Sequence, residues 1–253
     1  MKIFVVLLAV FASISSIPIA QFDDATFERQ LRSVIERQRQ NFPCGWPDAG
    51  ENGIDPVDPL FVPEVIIETR GIGTRLTSVL TNINLVGLRN FVIQRLQVNT
   101  AARTISYRFS VAQMSLTGSH DTRGSMIGIS VVTGNGPMTA TMTNSWVEGI
   151  LHWHTLPGSG YMQFHDQTTA IDSQNVVVRM EGFGLITNTV NRQINDLIPE
   201  MLADPEFQQE INEILNSIML PLFNDFMYHM TPEEVAALLD EQYNNPPPQR
   251  CFW

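Results

Sequence analysis

From residue 64 to residue 183 the chain alternates apolar and polar side chains, in runs longer than the usual strand of about five or six residues. Ile105, Tyr107, Phe109 and Val111 share one face. The phase then slips by one residue, and Met114 and Leu116 continue the apolar side. A slip of this kind predicts a β-bulge, where a sheet bends. Ile127, Ile129 and Val131 repeat the pattern, as do Met138, Ala140 and Met142, and then Val176, Val178 and Met180. Clusters at Gly118–Asp121, Gly134–Pro137 and Pro157–Gly160 have the composition of turns. Long strands joined by hairpins form an antiparallel meander with one apolar and one wet face.

Helical patterns flank this zone. Over residues 25–39, Phe27, Leu31, Val34 and Ile35 fall on one side of a helix. Four prolines and three glycines in residues 44–63 forbid regular structure there. Residues 188–240 carry a long apolar stripe that includes Ile194, Ile198, Ile211 and Leu215. Asp204 before Pro205 predicts a helix start, and Thr231-Pro232-Glu233-Glu234 predicts another. Pro221 inside the stripe predicts a kink or a boundary. Residues 241–253 read as an extended tail.

One sheet and one set of amphipathic helices bury their apolar sides most simply against each other. The expected class is therefore α+β, an elongated, rolled antiparallel sheet wrapped around the C-terminal helix stripe. No linker divides residues 21–253, so they read as a single domain. The periodicity fits either a close-packed core or a hollow lined by these side chains. Nine methionines across the sheet and helices would give a hollow adaptable, polarizable walls.

Residues 1–20 have the parts of a secretory signal peptide: Lys2, an apolar run too short to span a bilayer, then small residues. No later segment is long and apolar enough to cross as a helix, so neither stable membrane insertion nor a cytosolic location is expected. In an oxidising compartment Cys44 and Cys251, the two cysteines of the chain, are expected to pair. The net charge of −11 argues against nucleic acid as a partner. Lys2 is the sole lysine, which leaves the mature chain without a Schiff-base nucleophile.

Catalytic motifs are missing. There is no Gly-x-Ser-x-Gly elbow, no His-Glu-x-x-His, no phosphate loop and no dinucleotide fingerprint. The expectation is a protein that is not an enzyme and needs no cofactor. His152 and His154 share a strand face, and a hairpin closing at Leu156 and Tyr161 would set His152 opposite His165 and His154 opposite Gln163. Three imidazoles could then gather a metal ion. Against this, Leu151, Trp153, Met162 and Phe164 form the opposite, apolar face, which makes the histidine face the solvent side. No metal is the expectation.

Three segments together resemble a known family. Gly53-Ile54-Asp55-Pro56-Val57-Asp58-Pro59-Leu60, Leu85-Val86-Gly87-Leu88-Arg89-Asn90-Phe91, and Ile198-Pro199-Glu200-Met201 with its helical continuation are similar to insect takeout and haemolymph juvenile-hormone-binding proteins. The helix ending is nearer to the branch that resembles group 7 mite allergens. The resemblance implies the tubular lipid-binding fold, a super-rolled antiparallel sheet around a long amphipathic C-terminal helix, with an internal apolar tunnel. Ile105, Tyr107, Phe109, Val111, Ile127, Ile129, Met138, Met142, Trp153, Phe164, Val178, Met180, Ile194, Ile198, Ile211 and Leu215 would then line it. Hormone-carrier-like members pair two cysteines near the N-terminus, whereas Cys44 here has only Cys251, at the far end. The implied function is a secreted, extracellular carrier of a small hydrophobic ligand: a lipid, fatty acid or terpenoid. The other reading is a secreted recognition or immune module that binds microbial lipid or a protein partner not identifiable from sequence.

Overall fold

The computed structural model describes residues 23–45, 55–71, 73–226 and 229–246. The expected signal segment, residues 46–54 of the Pro/Gly loop and the end of the tail with Cys251 (247–253) lie outside the described residues.

Helix α1 (Asp24–Gln38) starts where Asp23 accepts the Thr26 amide at 3.0 Å; the Thr26 side chain, and then this amide, lower the Asp23 pKa. It buries Phe27, Leu31, Val34 and Ile35, the expected face. Six strands follow: β1 (Leu60–Gly71), β2 (Thr74–Val86), β3 (Phe91–Asn99), β4 (Thr104–Met126), β5 (Ile129–Thr155) and β6 (Met162–Met180). All pairings are antiparallel, in the order β1-β2-β4-β5-β6, with β3 beside β2 along the same edge of the long β4. Helices α2 (Thr187–Ala203), α3 (Pro205–Phe226) and α4 (Pro232–Asn244) follow among the described residues.

Several boundaries differ from the expectation. β1 begins at Leu60, inside the expected loop, and carries Pro63; an edge strand tolerates proline because one side needs no amide donor. α3 runs through Pro221 without ending, and α4 reaches Asn244. Its capping box, Thr231 with Glu234, forms as the sequence predicts.

Two expected turns are strand interior. Gly118–Asp121 lies within β4 and Gly134–Pro137 within β5, which makes these strands 23 and 27 residues long. Glycine serves there for close approach. A Cβ on Gly134 would collide with the Phe183 ring, and one on Gly118 would sit 3.0 Å from the Thr81 carbonyl oxygen.

Midway along, the inward face changes phase. On β4 it passes from Val111 to Met114, and on β5 from Met142 to Ser145, across Asn144 at φ 50°. β6 slips at Gln174–Asn175, and the Asn144 side chain donates to the Gln174 side chain there. The three strands turn over together, since 111 still pairs with 145 and 143 with 175. This waist separates two buried clusters. One holds α1, β3, Tyr107, Trp153, Phe164 and α4; the other holds Leu76, Leu80, Met126, Val132, Met138, Met180 and Phe183.

Helix side chains cap the sheet edge at β3 on one flank and at β6 on the other. On β3, Arg39 and Arg32 of the α1 segment donate to the carbonyls of Phe91 (3.0 Å) and Ile93 (3.2 Å). On β6, amides of α2 and α3 act as a surrogate strand. Asn191 accepts from Met180 N and donates to Met180 O, both at 2.9 Å. Asn195 does the same at Val178 (2.7 and 2.8 Å), Gln208 at Ile171 (3.1 and 2.8 Å) and Asn224 at Phe164 (2.7 and 2.8 Å). Asn212 accepts from Thr169 N at 2.8 Å. Unpaired edge amides are costly when dry and invite foreign strands when wet, and this ladder answers both.

Candidate functional site

The inward positions expected to line a tunnel fall into three groups. Ile105, Tyr107, Trp153 and Phe164 are buried in the first cluster, and Phe109 and Val111 pack half-buried against it. Met138 and Met180 are buried in the second, with Ile129, Val178 and Ile194 half-buried beside them. Met142 and Ile198 are half-buried in between. Ile211 and Leu215 lie on α3, but their side chains are outside the described ones.

One of these positions does not face inward. Ile127 sits in the β4–β5 turn with 59 % of its surface exposed. Val131 is exposed too and Val132 is the buried neighbour, so the alternation holds at Ile129 and slips by one residue after it. The Ile127/Ile129/Val131 run sits at the turn and its approach, where the Gly124–Met126 register shift resets the face.

Between the two packed ends, the inward apolar side chains keep solvent-accessible surface. Phe109, Val111, Met114, Leu116, Met142, Val147, Val176 and Val178 on the strands, with Ile194, Leu197 and Ile198 on α2, are all half-buried. Core side chains of a solid interior close over one another far more completely.

A polar group interrupts the apolar wall near the first cluster. Tyr107, Gly149 and Thr169 are register partners across β4, β5 and β6. The Tyr107 hydroxyl lies 3.1 Å from Thr169 Oγ1, and Gln167 Nε2 donates to both, at 3.0 and 2.7 Å. All three side chains are buried, and burial pushes the Tyr107 phenol up to about 12. Gly149 makes the room: a Cβ there would stand 2.7 Å from the Tyr107 oxygen. Nothing in the alternation pattern marks this trio as polar interior.

On the side of the body lies a cavity of about 640 Å³, where α2 hands over to α3 beside the middle of β6. Ile198, Pro199, Leu202, Ala203 and Gln208 form one wall, and Trp146 with residues 170–177 of β6 forms the other. Of the expected lining residues whose side chains are described, only Ile198 belongs to it. Gln208 pins the junction, since its Nε2 also donates to the Leu202 carbonyl at 2.7 Å. The sequence signal that was available is the recurrence of Asn and Gln at i, i+4 spacing along the flank of the stripe (191/195 and 208/212).

The histidine geometry differs from the expectation at one point. His154 pairs with Gln163, but a register shift after His152 sets that residue opposite Asp166, not His165. His154 and His165 approach each other instead, Nδ1 to Nδ1 at 3.1 Å, a distance at which one ring donates to the other. Among the described residues no group of three or more His, Cys, Asp or Glu could hold a metal ion.

Two of the three segments carrying the resemblance are in contact. The buried Asp58 carboxylate accepts the amides of Gly87 (2.9 Å) and Arg89 (2.8 Å), and thereby fixes the turn that starts β3. Gly87 must take φ 106° there.

Comparison with solved structures places the same architecture in the Takeout 1 protein of Epiphyas postvittana, with 15 % identity, a TM-score of 0.52 and coverage of 85 % of this chain and 92 % of that one. A lipopolysaccharide binding protein matches at 13 % identity over 76 % of this chain and 38 % of that one, with a TM-score of 0.36. No curated protein matches in sequence. The rolled antiparallel sheet with its C-terminal helices is the tubular lipid-binding α+β fold. The model of the family described as haemolymph juvenile hormone binding protein matches residues 3–237, so the chain belongs to that family.

Proposed function

We propose that the chain is a secreted, non-catalytic carrier that holds one small hydrophobic ligand in an apolar tunnel between the inward face of the sheet and helices α2 and α3. The observation that carries this reading is the half-buried apolar strip between two packed ends, from Phe109 and Val111 to Val178 and Ile194. Apolar walls that retain accessible surface gain about 25 cal/mol for each Å² that a guest removes from water. Membership of a family described by hormone binding, and a Takeout neighbour, support the same class of ligand: lipid, fatty acid or terpenoid. Among the described residues no helix is long and apolar enough to cross a membrane.

Residues 1–20 act as the signal peptide in this reading, and Cys44 pairs with Cys251 after export. Cys44 sits in the turn after α1, and no described cysteine is a free thiol, which supports the pairing. The test is extraction of the purified protein for mass spectrometry, followed by titration with Nile red. Recovered lipid, or a saturable probe displaced by long-chain lipids, is the expected result; an interior with neither refutes the carrier.

A recognition module remains the second reading, on one observation. Ile127 and Val131, at and beside the β4–β5 turn, and Leu185, which is fully exposed, are apolar side chains left on the outside. Co-sedimentation with lipid vesicles that Ile127→Ser and Leu185→Ser abolish would favour it over a carrier.

A further inference from the structure

We propose that the side cavity at the α2–α3 junction takes the polar head of the ligand, and that it accepts an uncharged head that both donates and accepts hydrogen bonds (an alcohol or amide) in preference to a carboxylate. This rests on the carrier reading and narrows its ligand class.

The first support is a missing rung. Helix amides serve the β6 backbone at Phe164, Thr169 and Ile171, and again at Val178 and Met180. Between Ile171 and Val178 no helix amide among the described residues reaches the strand. The two-residue period that turns Val178 and Met180 toward α2 turns the N–H and C=O of Val176 the same way. Val176 lines the cavity. A head group that both donates and accepts there would complete the ladder as Asn195 does one step along.

The second support is the path inward. Val176 and Ile198 line the cavity and are half-buried, and they continue the strip formed by Val178 and Ile194. A tail entering beside them stays on apolar surface while its head stops at the β6 edge.

The third support is charge. Among the described residues of the lining Asp172 is the one ionisable group, with no arginine or histidine beside it. α2 ends here, bringing the negative end of its dipole to the cavity wall. The opposing positive end, at the start of α3, is already answered, because Asp204 Oδ1 accepts the Glu206 amide at 2.8 Å. A carboxylate would meet this field without a counter-charge.

The test is displacement of Nile red from the full mature chain by hexadecan-1-ol, hexadecanamide and hexadecanoate at neutral pH. The tails are alike, so differences report the head. The two neutral compounds are expected to displace the probe at concentrations about tenfold lower than the anion, the effect of one like charge near the surface. Asp172→Lys should bring hexadecanoate level with the alcohol. Ile198→Arg places a cation on the opposite wall and should do the same if Asp172→Lys does not fold. Equal displacement by all three compounds overturns the proposal, as does a preference that neither variant moves. Failure of Nile red and every competitor to bind overturns the carrier reading itself, which is a separate outcome.

Discussion

Replacing Asn195 with leucine removes one rung from the amide ladder without changing side-chain size much. Three hydrogen bonds go: Val178 N to Oδ1 at 2.7 Å, Nδ2 to Val178 O at 2.8 Å, and Nδ2 to Asn191 O at 2.7 Å. At about 1 kcal/mol net for each, the loss is about 3 kcal/mol before compensation. The site is half-buried, so water reaches part of the freed backbone, and leucine recovers some apolar contact. The expected destabilisation is therefore about 2–3 kcal/mol. Urea unfolding followed by circular dichroism should show a midpoint lower by about 1 M, given an m-value near 2–3 kcal/mol per M. Asn188→Leu, on the exposed side of the same helix, should change stability by less than about 0.5 kcal/mol. Asn195→Asp keeps an acceptor for Val178 N but turns an anionic oxygen toward two carbonyls, so it should be no milder than leucine. If Asn195→Leu matches Asn188→Leu, the ladder does not hold the helices to the sheet and the reasoning fails.

Three further outcomes follow from the geometry. Burial pushes the Tyr107 phenol from about 10 up to about 12, so its proton is held more tightly when folded; the stability it supports is full below pH 10 and declines by up to about 3 kcal/mol as pH rises through 12. Absorbance titration near 295 nm should show one late-ionising tyrosine that Tyr107→Phe removes. Gly149→Ala should destabilise by about 2–4 kcal/mol, because its Cβ would overlap the Thr168 carbonyl oxygen and crowd Tyr107; thermal melting reads this, and Tyr107→Phe should partly relieve it. Asp58→Ala should cost about 3 kcal/mol through two lost charge-assisted bonds to Gly87 and Arg89 amides, with the loss of amide-exchange protection concentrated at the start of β3.

The sheet was legible because alternation is a direct consequence of burying one face. Tyr107, Trp153, Met138 and Met180 are inward for that reason. The step from Val111 to Met114 was legible too, since a one-residue slip leaves a visible defect in the pattern. Glycine was the ambiguous letter. At Gly118 and Gly134 the missing Cβ admits a neighbouring strand or ring, and composition alone cannot separate that from a turn. The Ile127 to Val131 run misled for a related reason, as two phases were available and a turn residue supplied the wrong one. The amide ladder stayed hidden because Asn191, Asn195 and Gln208 look like an ordinary wet helix face. Their role depends on which strand ends at the edge, a fact of topology. The side cavity escaped for the same cause, being built from a helix end and a strand irregularity far apart in the chain.

The waist at Asn144 joins two halves furnished with different materials. On one side stand rings: Tyr107 stacks on Phe109 at 5.6 Å, and Phe91 meets Phe109 edge-on at 5.7 Å. On the other stand Met126, Met138 and Met180, unbranched chains that re-pack at little cost. Any long guest would find a stiff end and a pliant one, and tolerance of varied tail length would be concentrated at the methionines.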